Sequence, residues 1–403
     1  MKKSKIFTHG AFFLLCVLFA FGQLQRIQLT NHSAVYLHEI LLLLWCISAL
    51  IFNQQLKQNI CAQCKKIPKI FFLFSAWSLA GLLFAFALHH NVQHALLYGV
   101  RIFLYVWFFL TLKSSSALRL ISQKTVLLGA LFSGFMIVLF GFLQYFFLPD
   151  TRFLFFLGWD DHYYRLISTL LDPSFTGLLL CLLFFAVHMI PRSENTLRQQ
   201  WLFAMKTGGS FLILFALALT YSRASFLALG ISILGVLLSF FIKKNWKEAV
   251  LFLFYLLFLV GTIPLLPRRG GEGVRLERTS TVIARTSSLT EELSLLHNAD
   301  WLIGKGMFVS PFPQDTPFRT QFEVPSHGNV PDNWIILILL GSGVVGLALF
   351  SGVLLEIFKI LLRTNIWVFV SLVTILISGL FSAGVFYPFT MVFFSLMVIS
   401  SSL

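Results

Sequence analysis

The chain has 403 residues, of which 58% are hydrophobic and 11% are charged, with 47 Phe. Soluble domains carry roughly 25% charged residues, so this composition excludes a water-soluble domain. The formal net charge of +14 does not indicate nucleic-acid binding, because the 30 Lys and Arg residues lie scattered between apolar runs and form no basic domain. Continuous apolar runs of about 20 residues, without the alternation typical of strands, instead indicate an all-α integral membrane protein in a lipid bilayer.

Twelve apolar runs are candidate transmembrane spans. They lie approximately at residues 7–24, 34–52, 70–88, 94–112, 125–147, 166–190, 201–220, 224–242, 248–266, 332–355, 366–384 and 388–403. The first run follows a Lys-rich start and is similar to a signal peptide, but no small-residue cleavage site follows, so we expect an uncleaved span. The predicted architecture is therefore about 12 transmembrane helices, with spans one to nine in residues 1–266, a loop in 267–331, and spans ten to twelve in 332–403.

The joints between the runs alternate in charge. One set of joints holds 18 of the 30 cations, whereas the opposite short joints hold only four, namely Arg26, Arg152, Arg165 and Arg223. Positively charged joints face the cytoplasm. We therefore predict that both termini are cytoplasmic and that the chain crosses the membrane an even number of times.

The joint at residues 267–331, about 65 residues long, differs from the others. By parity it lies outside the cytoplasm, and loops of this length are usually functional. The segment Ser288-Leu289-Thr290-Glu291 has the pattern of a capping box, and Leu289, Leu293 and Leu296 recur at helical spacing. We predict a short amphipathic helix at the membrane mouth, and Gly and Pro residues predict that the rest of the loop is irregular.

Three arginines beside the predicted mouth are candidates for anion binding. Arg223 follows the seventh span almost without a linker, and it either snorkels to lipid phosphate or binds an anionic ligand through its planar guanidinium. Arg165 lies on the same side, in a non-helical approach that would leave it free to face a cavity. Arg285 directly precedes the predicted loop helix, which would fix its position.

Acidic and polar residues near these arginines have two interpretations each. Asp172-Pro173 is typical of a helix start, so we assign Asp172 mainly to architecture. Asp332 and Asn333 would either cap the tenth span or belong to the chemical site. Asp332 and His327 are the candidates for a general base, because both are titratable groups close to the basic residues at the predicted membrane surface.

These stretches, taken in order, resemble the bacterial O-antigen ligase and O-antigen polymerase family. The matching pieces are Arg165 with Asp172-Pro173, Thr220-Tyr221-Ser222-Arg223, Asp300-Trp301-Leu302-Ile303-Gly304-Lys305-Gly306, and Asp332-Asn333 with Gly341, Gly343 and Gly346. They cover roughly residues 160–355, with a long loop between spans nine and ten. The first five spans match only in hydrophobicity.

The resemblance implies a bacterial inner-membrane glycosyltransferase whose donor is a glycan linked to undecaprenyl diphosphate. A hydroxyl group of the acceptor, either a glycan or lipid A core, would attack the anomeric carbon and expel the lipid diphosphate. The implied site residues are Arg165, Arg223 and Arg285 at the diphosphate, Asp172 and Asn333 as supporting residues, and His327 or Asp332 as the base.

No metal or other cofactor is expected. The chain contains no Asp-x-Asp motif, and the resemblance assigns the charge of a metal ion to the arginines. The pair Cys61 and Cys64 lacks the two further nearby ligands that zinc requires.

The base position departs from the family pattern. Ligases of the family usually carry His before the Asn, where this chain has Asp332, and Asp-Asn is also typical of polymerase and capsule-type relatives. Ligase and polymerase are therefore alternatives. A transporter or flippase of lipid-linked sugars is the alternative from another class, but it would need ionisable residues near mid-bilayer, and apart from Arg101 the predicted spans are nearly without charge.

Overall fold

The computed structural model describes residues 2–30, 33–88, 92–191, 193–268, 271–277, 279–309, 318–319, 324–325 and 331–401. The helices are α1 (Lys2–Ala20), α2 (Leu37–Phe52), α3 (Gln54–Cys64), α4 (Lys69–Ala87), α5 (Gln93–Ala117), α6 (Gln123–Phe147), α7 (Pro173–His188), α8 (Thr196–Thr220), α9 (Arg223–Ile242), α10 (Trp246–Thr262), α11 (Ser280–Ser294), α12 (Asp300–Ile303), α13 (Trp334–Thr364), α14 (Ile366–Ser378) and α15 (Pro388–Ser400). Two antiparallel hairpins pair β1 (Arg26–Thr30) with β2 (Ser33–Tyr36) and β3 (Phe318–Arg319) with β4 (Val324–Pro325). The helical architecture agrees with the predicted all-α membrane class.

Each of the twelve predicted spans overlaps one α-helix, but the helices differ in length. Seven are long and apolar enough to cross a membrane, namely α4, α5, α6, α8, α9, α10 and α13. The pair α2–α3 passes the same test only as one span bent by 109°, and four further apolar helices are shorter. The described part of the chain is thus a multi-pass membrane protein with seven or eight spans by length and composition, and the count of twelve stays a prediction.

The short helix α7 lies at the centre of the bundle. Its residues from Thr176 to Val187 are all buried, and α6, α8, α9, α14 and α15 pack around it. A helix that is apolar on every side needs protein on every side, as here. The predicted start is present: the Asp172 carboxylate accepts hydrogen bonds from the amides of Ser174 (2.7 Å) and Phe175 (2.8 Å), with Pro173 in the first turn.

Helix α11 begins earlier than predicted. Ser288 lies inside it rather than at its start, and the Ser288 hydroxyl donates to Glu292 Oε1 (3.2 Å). The capping-box interpretation is wrong, because a Ser followed by acidic residues one turn later can also bond within a helix. The predicted apolar face is nevertheless present at the C-terminal end of α11, since Leu293 and Leu296 pack against the first turns of α13.

Helix α13 is broken at Gly343, which has φ 65° and ψ −172°. The segment after α12 fills the break. Its backbone amides at Lys305 and Gly306 donate to the carbonyl oxygens of Leu340 (2.7 Å) and Gly341 (3.0 Å). Such an approach of two backbones leaves no room for side chains, which explains glycine in both segments.

The sequence predicted only that this part of the long loop is irregular; it contains the short helix α12 at Asp300–Ile303, and its non-helical residues 304–309 are packed against α13. Met307 and Phe308 are buried against Leu337, Ile338 and Phe350 of α13. Burial of these apolar side chains stabilises the docked segment. Residues 304–309 of the long loop thus fold back into the bundle.

The break gives a first prediction, on stability. In Gly343→Ala the new Cβ would lie 2.2 Å from the carbonyl oxygen of Leu302, at a φ that L side chains rarely adopt. We expect destabilisation of about 2 to 4 kcal/mol, seen as a lower melting temperature in detergent. Gly230→Ala is the matched control, since a Cβ at Gly230 meets nothing within 4 Å. Equal melting temperatures for the two variants would contradict the packing described.

A second prediction concerns topology. Ser294, at the end of α11, and the native Cys61 are both exposed, and the charge pattern predicts opposite sides of the membrane for them. In intact cells, an impermeant maleimide should label Ser294→Cys in a background where Cys61 and Cys64 are replaced by Ser. Native Cys61 should react only after the inner membrane is opened. The reverse pattern would place the long loop in the cytoplasm.

Candidate active site

The break between α8 and α9 positions Arg223. Tyr221 has a left-handed conformation (φ 52°) that ends α8, and the Ser222 hydroxyl caps α9 by accepting from the amide of Ser225 (3.4 Å). Arg223 is then the first residue of α9, and its Nη1 donates to the carbonyl oxygen of Leu276 (3.2 Å). This contact holds the partly buried guanidinium under the long loop, which is not the contact of a side chain directed to lipid phosphate.

Arg165 holds the same junction from the other side. It is only 8% exposed, and its Nε and Nη2 donate to the carbonyl oxygens of Thr220 (3.1 Å) and Tyr221 (3.4 Å). The last carbonyls of a helix have no partner within it, so the guanidinium satisfies them. The expectation that Arg165 is free to face a cavity is therefore wrong. The side chain fixes the segment that carries Arg223, and direct contact with a diphosphate stays a prediction.

Arg285 lies within α11 instead of preceding it, and it is partly buried. Its charge acts on both Arg223 and Asp332, so the three side chains lie within electrostatic range of one another. Two neighbouring arginines repel each other, and a bound anion removes that repulsion. The structure thus brings together two of the three predicted diphosphate residues and one predicted base.

The start of α13 separates the roles of Asp332 and Asn333. Asn333 caps the helix, because its Oδ1 accepts from the amide of Ile335 (2.9 Å). Asp332 lies outside this cap and is accessible to solvent, yet surrounding protein atoms still desolvate its carboxyl group. That desolvation raises the pKa of Asp332, the Arg285 cation lowers it, and the Asp160 charge raises it. Capping therefore uses Asn333 alone and leaves Asp332 available for proton transfer.

Two further carboxyl groups that sequence reasoning missed act on this cluster. Asp160, in the loop between α6 and α7, is close enough to affect the pKa of both Asp172 and Asp332. Glu292 is buried in α11; burial raises its pKa, the Ser288 hydroxyl lowers it, and the Asp332 charge raises it. The sequence signal for Asp160 is the polar run Trp159-Asp160-Asp161-His162, which follows the apolar residues 153–157 of this joint.

Asp172 caps α7 and also interacts with the charges of neighbouring side chains. Burial raises its pKa to about 6, the amide of Phe175 lowers it, the Asp160 charge raises it, and the Arg165 charge lowers it. Its two hydrogen bonds to the amides of α7 confirm the architectural assignment. The carboxyl group also lies beside the segment that carries Arg165.

Two expectations concern groups beyond this cluster. His327 lies outside the described residues, so Asp332 is the predicted base whose position the structure gives. Within the described ranges, no three His, Cys, Asp or Glu side chains are grouped so as to hold a metal ion. Metal-independent catalysis stays a prediction, to be tested by assay.

Arg101 is not the isolated charge that the sequence suggested. Its guanidinium pairs with the carboxylate of Glu39, which also accepts from the Tyr105 hydroxyl (2.6 Å), and both charged side chains are nearly inaccessible to solvent. Each buried charge is thereby compensated. Glu39 lies in the first turn of α2 and Arg101 in the first half of α5, so the pair lies towards the starts of both helices.

Comparison with known proteins identifies one segment of the chain. Residues 208–351 match the family model described as O-antigen ligase. The matched segment runs from α8 to beyond the break of α13, and it contains Arg223, Arg285 and Asp332, whereas Arg165 and Asp172 precede it. A comparison with the curated proteins found no match.

Proposed function

We propose that the chain, whose residues 208–351 match the O-antigen ligase family model, transfers a glycan from undecaprenyl diphosphate to an acceptor hydroxyl. The reaction takes place on the periplasmic face of the bacterial inner membrane. The observation that carries the proposal is the cluster of Arg223 at the start of α9, Arg285 within α11 and Asp332 just before α13. The acceptor is lipid A core for a ligase and a second glycan for a polymerase.

The arginines suit a leaving diphosphate. As the anomeric carbon–oxygen bond breaks, its electron pair moves to the diphosphate, so negative charge grows beside the guanidinium groups of Arg223 and Arg285. Groups placed where charge develops stabilise the transition state more than the ground state. The Ser225 hydroxyl of α9 donates to the carbonyl oxygen of Ser174 in the first turn of α7 (3.5 Å), and Asp160 is in electrostatic range of both Asp172 and Asp332. The positive dipole ends of α7, α9 and α13 therefore add to this field.

Asp332 suits the proton that the acceptor loses. The hydroxyl oxygen forms a bond to the anomeric carbon, and its proton passes to the Asp332 carboxylate. A carboxylate with a raised pKa accepts a proton more readily than an ordinary Asp, while the Arg285 cation nearby favours the charged form that acts as a base. Arg165 and Asp172 act on this centre by fixing the ends of α8 and α7.

A transfer assay tests the proposal. The purified protein in nanodiscs would receive undecaprenyl-diphosphate-linked glycan, with either O-antigen-free lipopolysaccharide or a second lipid-linked glycan as acceptor. We expect transfer to one acceptor, at a rate unchanged by excess chelator, because guanidinium groups supply the positive charge. Turnover that the chelator abolishes and Mg²⁺ or Mn²⁺ restores would contradict the mechanism, and absence of transfer to both acceptors would contradict the proposed function.

A further inference from the structure

The β1–β2 hairpin and the loop at residues 149–164 form a wall beside the candidate active site, which we call the hairpin wall. Its base is fixed next to the start of α7. Thr169, three residues before Asp172, donates from its hydroxyl to the carbonyl oxygen of Ala20 (2.8 Å), and a Cβ on Gly22 would lie 2.5 Å from the carbonyl oxygen of Thr169. Gln23 donates to the hydroxyl of Tyr387 (2.8 Å), whose ring stacks on Phe175 of α7. The hairpin therefore cannot shift without moving the Asp172 turn.

The loop in this wall is closed by backbone hydrogen bonds. The amide and hydroxyl of Thr151 both donate to the carbonyl oxygen of His162 (2.9 Å each), and the amide of Tyr164 donates to Pro149 (2.9 Å). Gly158 then turns the chain with φ 85°, and the amide of Trp159 donates back to Leu154 (3.1 Å). This geometry fixes the backbone from which the side chains of Trp159 and Asp160 extend.

Three side chains of the wall have the character of a ligand site. The guanidinium of Arg26 lies 5.3 Å from the centre of the Trp159 ring, and the indole is only partly covered. The Nε of Arg26 is buried, and the described part of the chain provides it with no hydrogen-bond acceptor. A buried donor without a partner is costly. The exposed carboxylate of Asp160 follows directly, within electrostatic range of Asp172 and Asp332.

Trp159 differs from the other aromatic residues of its loop. Phe153 and Phe156 are exposed and have no charged side chain over their rings among the contacts described, as is typical of residues at a membrane interface. Trp159 comes after the left-handed turn at Gly158, has the Arg26 cation over its ring, and is followed in sequence by the Asp160 carboxylate. Its surroundings are those of a binding residue, because an apolar surface is combined with a small number of polar groups.

We propose that Trp159, Asp160 and Arg26 bind a pyranose ring of the glycan substrate. A sugar ring has an apolar C–H face that packs on an indole, and hydroxyl groups that donate to a carboxylate and accept from a guanidinium. The wall lies next to the Asp172 turn, so it would hold the sugar next to the bond that is made or broken. The inference rests on the proposed function, since only a glycan substrate brings sugar rings to this place.

Binding measurements in nanodiscs test the sugar subsite. The three probes are undecaprenyl diphosphate, undecaprenyl-diphosphate-linked glycan, and O-antigen-free lipopolysaccharide. Trp159→Ala should weaken binding of one glycan-bearing probe about tenfold, as for loss of one aromatic anchor, while binding of undecaprenyl diphosphate stays unchanged. Loss on the lipid-linked glycan assigns the subsite to the donor, and loss on the lipopolysaccharide assigns it to the acceptor.

The control variants use the same loop. Arg152→Ala should leave all three affinities unchanged, because Arg152 is exposed, pairs with Asp150 (2.6 Å) and lies over the ring of Tyr163. Asp160→Asn keeps the size of an exposed side chain and removes its charge, and it should weaken binding of the same probe as Trp159→Ala, at an unchanged melting temperature. Unchanged binding of both glycan-bearing probes in Trp159→Ala and Asp160→Asn would overturn the subsite. Failure of the wild-type protein to bind undecaprenyl diphosphate would instead overturn the proposed function.

Discussion

Replacing Arg223 with alanine is expected to lower kcat/KM for glycan transfer by roughly 30- to 1000-fold. This corresponds to about 2 to 4 kcal/mol of transition-state stabilisation, as for the loss of one well-placed donor to a developing anion. Arg223→Lys keeps the charge but loses the planar pair of donors. If the fork geometry binds the diphosphate, the Lys variant should lose nearly as much activity as the Ala variant.

The Arg223 variants need a test of folding, because Nη1 of Arg223 also holds the carbonyl oxygen of Leu276. Membrane abundance and melting temperature should therefore be compared with those of the wild-type protein. Arg268→Ala is a suitable control in the same loop, because Arg268 forms an exposed ion pair with Glu277 (3.1 Å) and exposed pairs contribute little. Near-normal transfer by Arg223→Ala at equal abundance would leave Arg223 with only its structural contact to the carbonyl oxygen of Leu276.

The helices could be predicted from the sequence because a bilayer imposes a simple rule. Apolar runs must form helices whose backbone bonds are internal, and each predicted run overlaps one helix. Asp172-Pro173 predicted a helix start correctly because both residues act locally, through a cap and a fixed φ. The prediction of a helix start at Ser288 was wrong for the opposite reason. The hydrogen bonds of Ser288 are equally possible inside a helix, and only the position of α11 in the structure distinguishes a helix start from a helix interior.

The candidate site could be predicted only in part. Charge placement identified Arg223, Arg285 and Asp332, since cations and carboxylates are rare in this chain. The function of Arg165 as a clamp on the end of α8 depends on a contact across 55 positions of sequence, which no local pattern reports. The sequence did not predict Glu39 as the partner of Arg101. Glu39 lies near the start of an apolar run, where a carboxylate is easily assigned to the connection between two spans.

Asp332→Asn is expected to have the largest effect on the chemical step, a reduction of kcat by roughly 10²- to 10⁴-fold, as for loss of a general base. The amide has nearly the same shape as the carboxyl group but cannot accept the proton of the attacking hydroxyl. Asn333 keeps the cap of α13 in this variant, so the helix start should be preserved. Turnover of the purified variant, at matched abundance, gives the measurement.

The pH profile separates Asp332 from His327. A carboxylate acts as base only when ionised, so transfer should fall as pH is lowered through the pKa of Asp332. Desolvation raises that pKa and Arg285 opposes the rise. The transfer rate should therefore fall at a pH above the ordinary pKa range of Asp. His327→Ala should retain this acidic limb, whereas Asp332→Asn should lose it together with the activity. An Asp332→Asn protein with wild-type turnover, beside an inactive His327→Ala protein, would transfer the base role to His327.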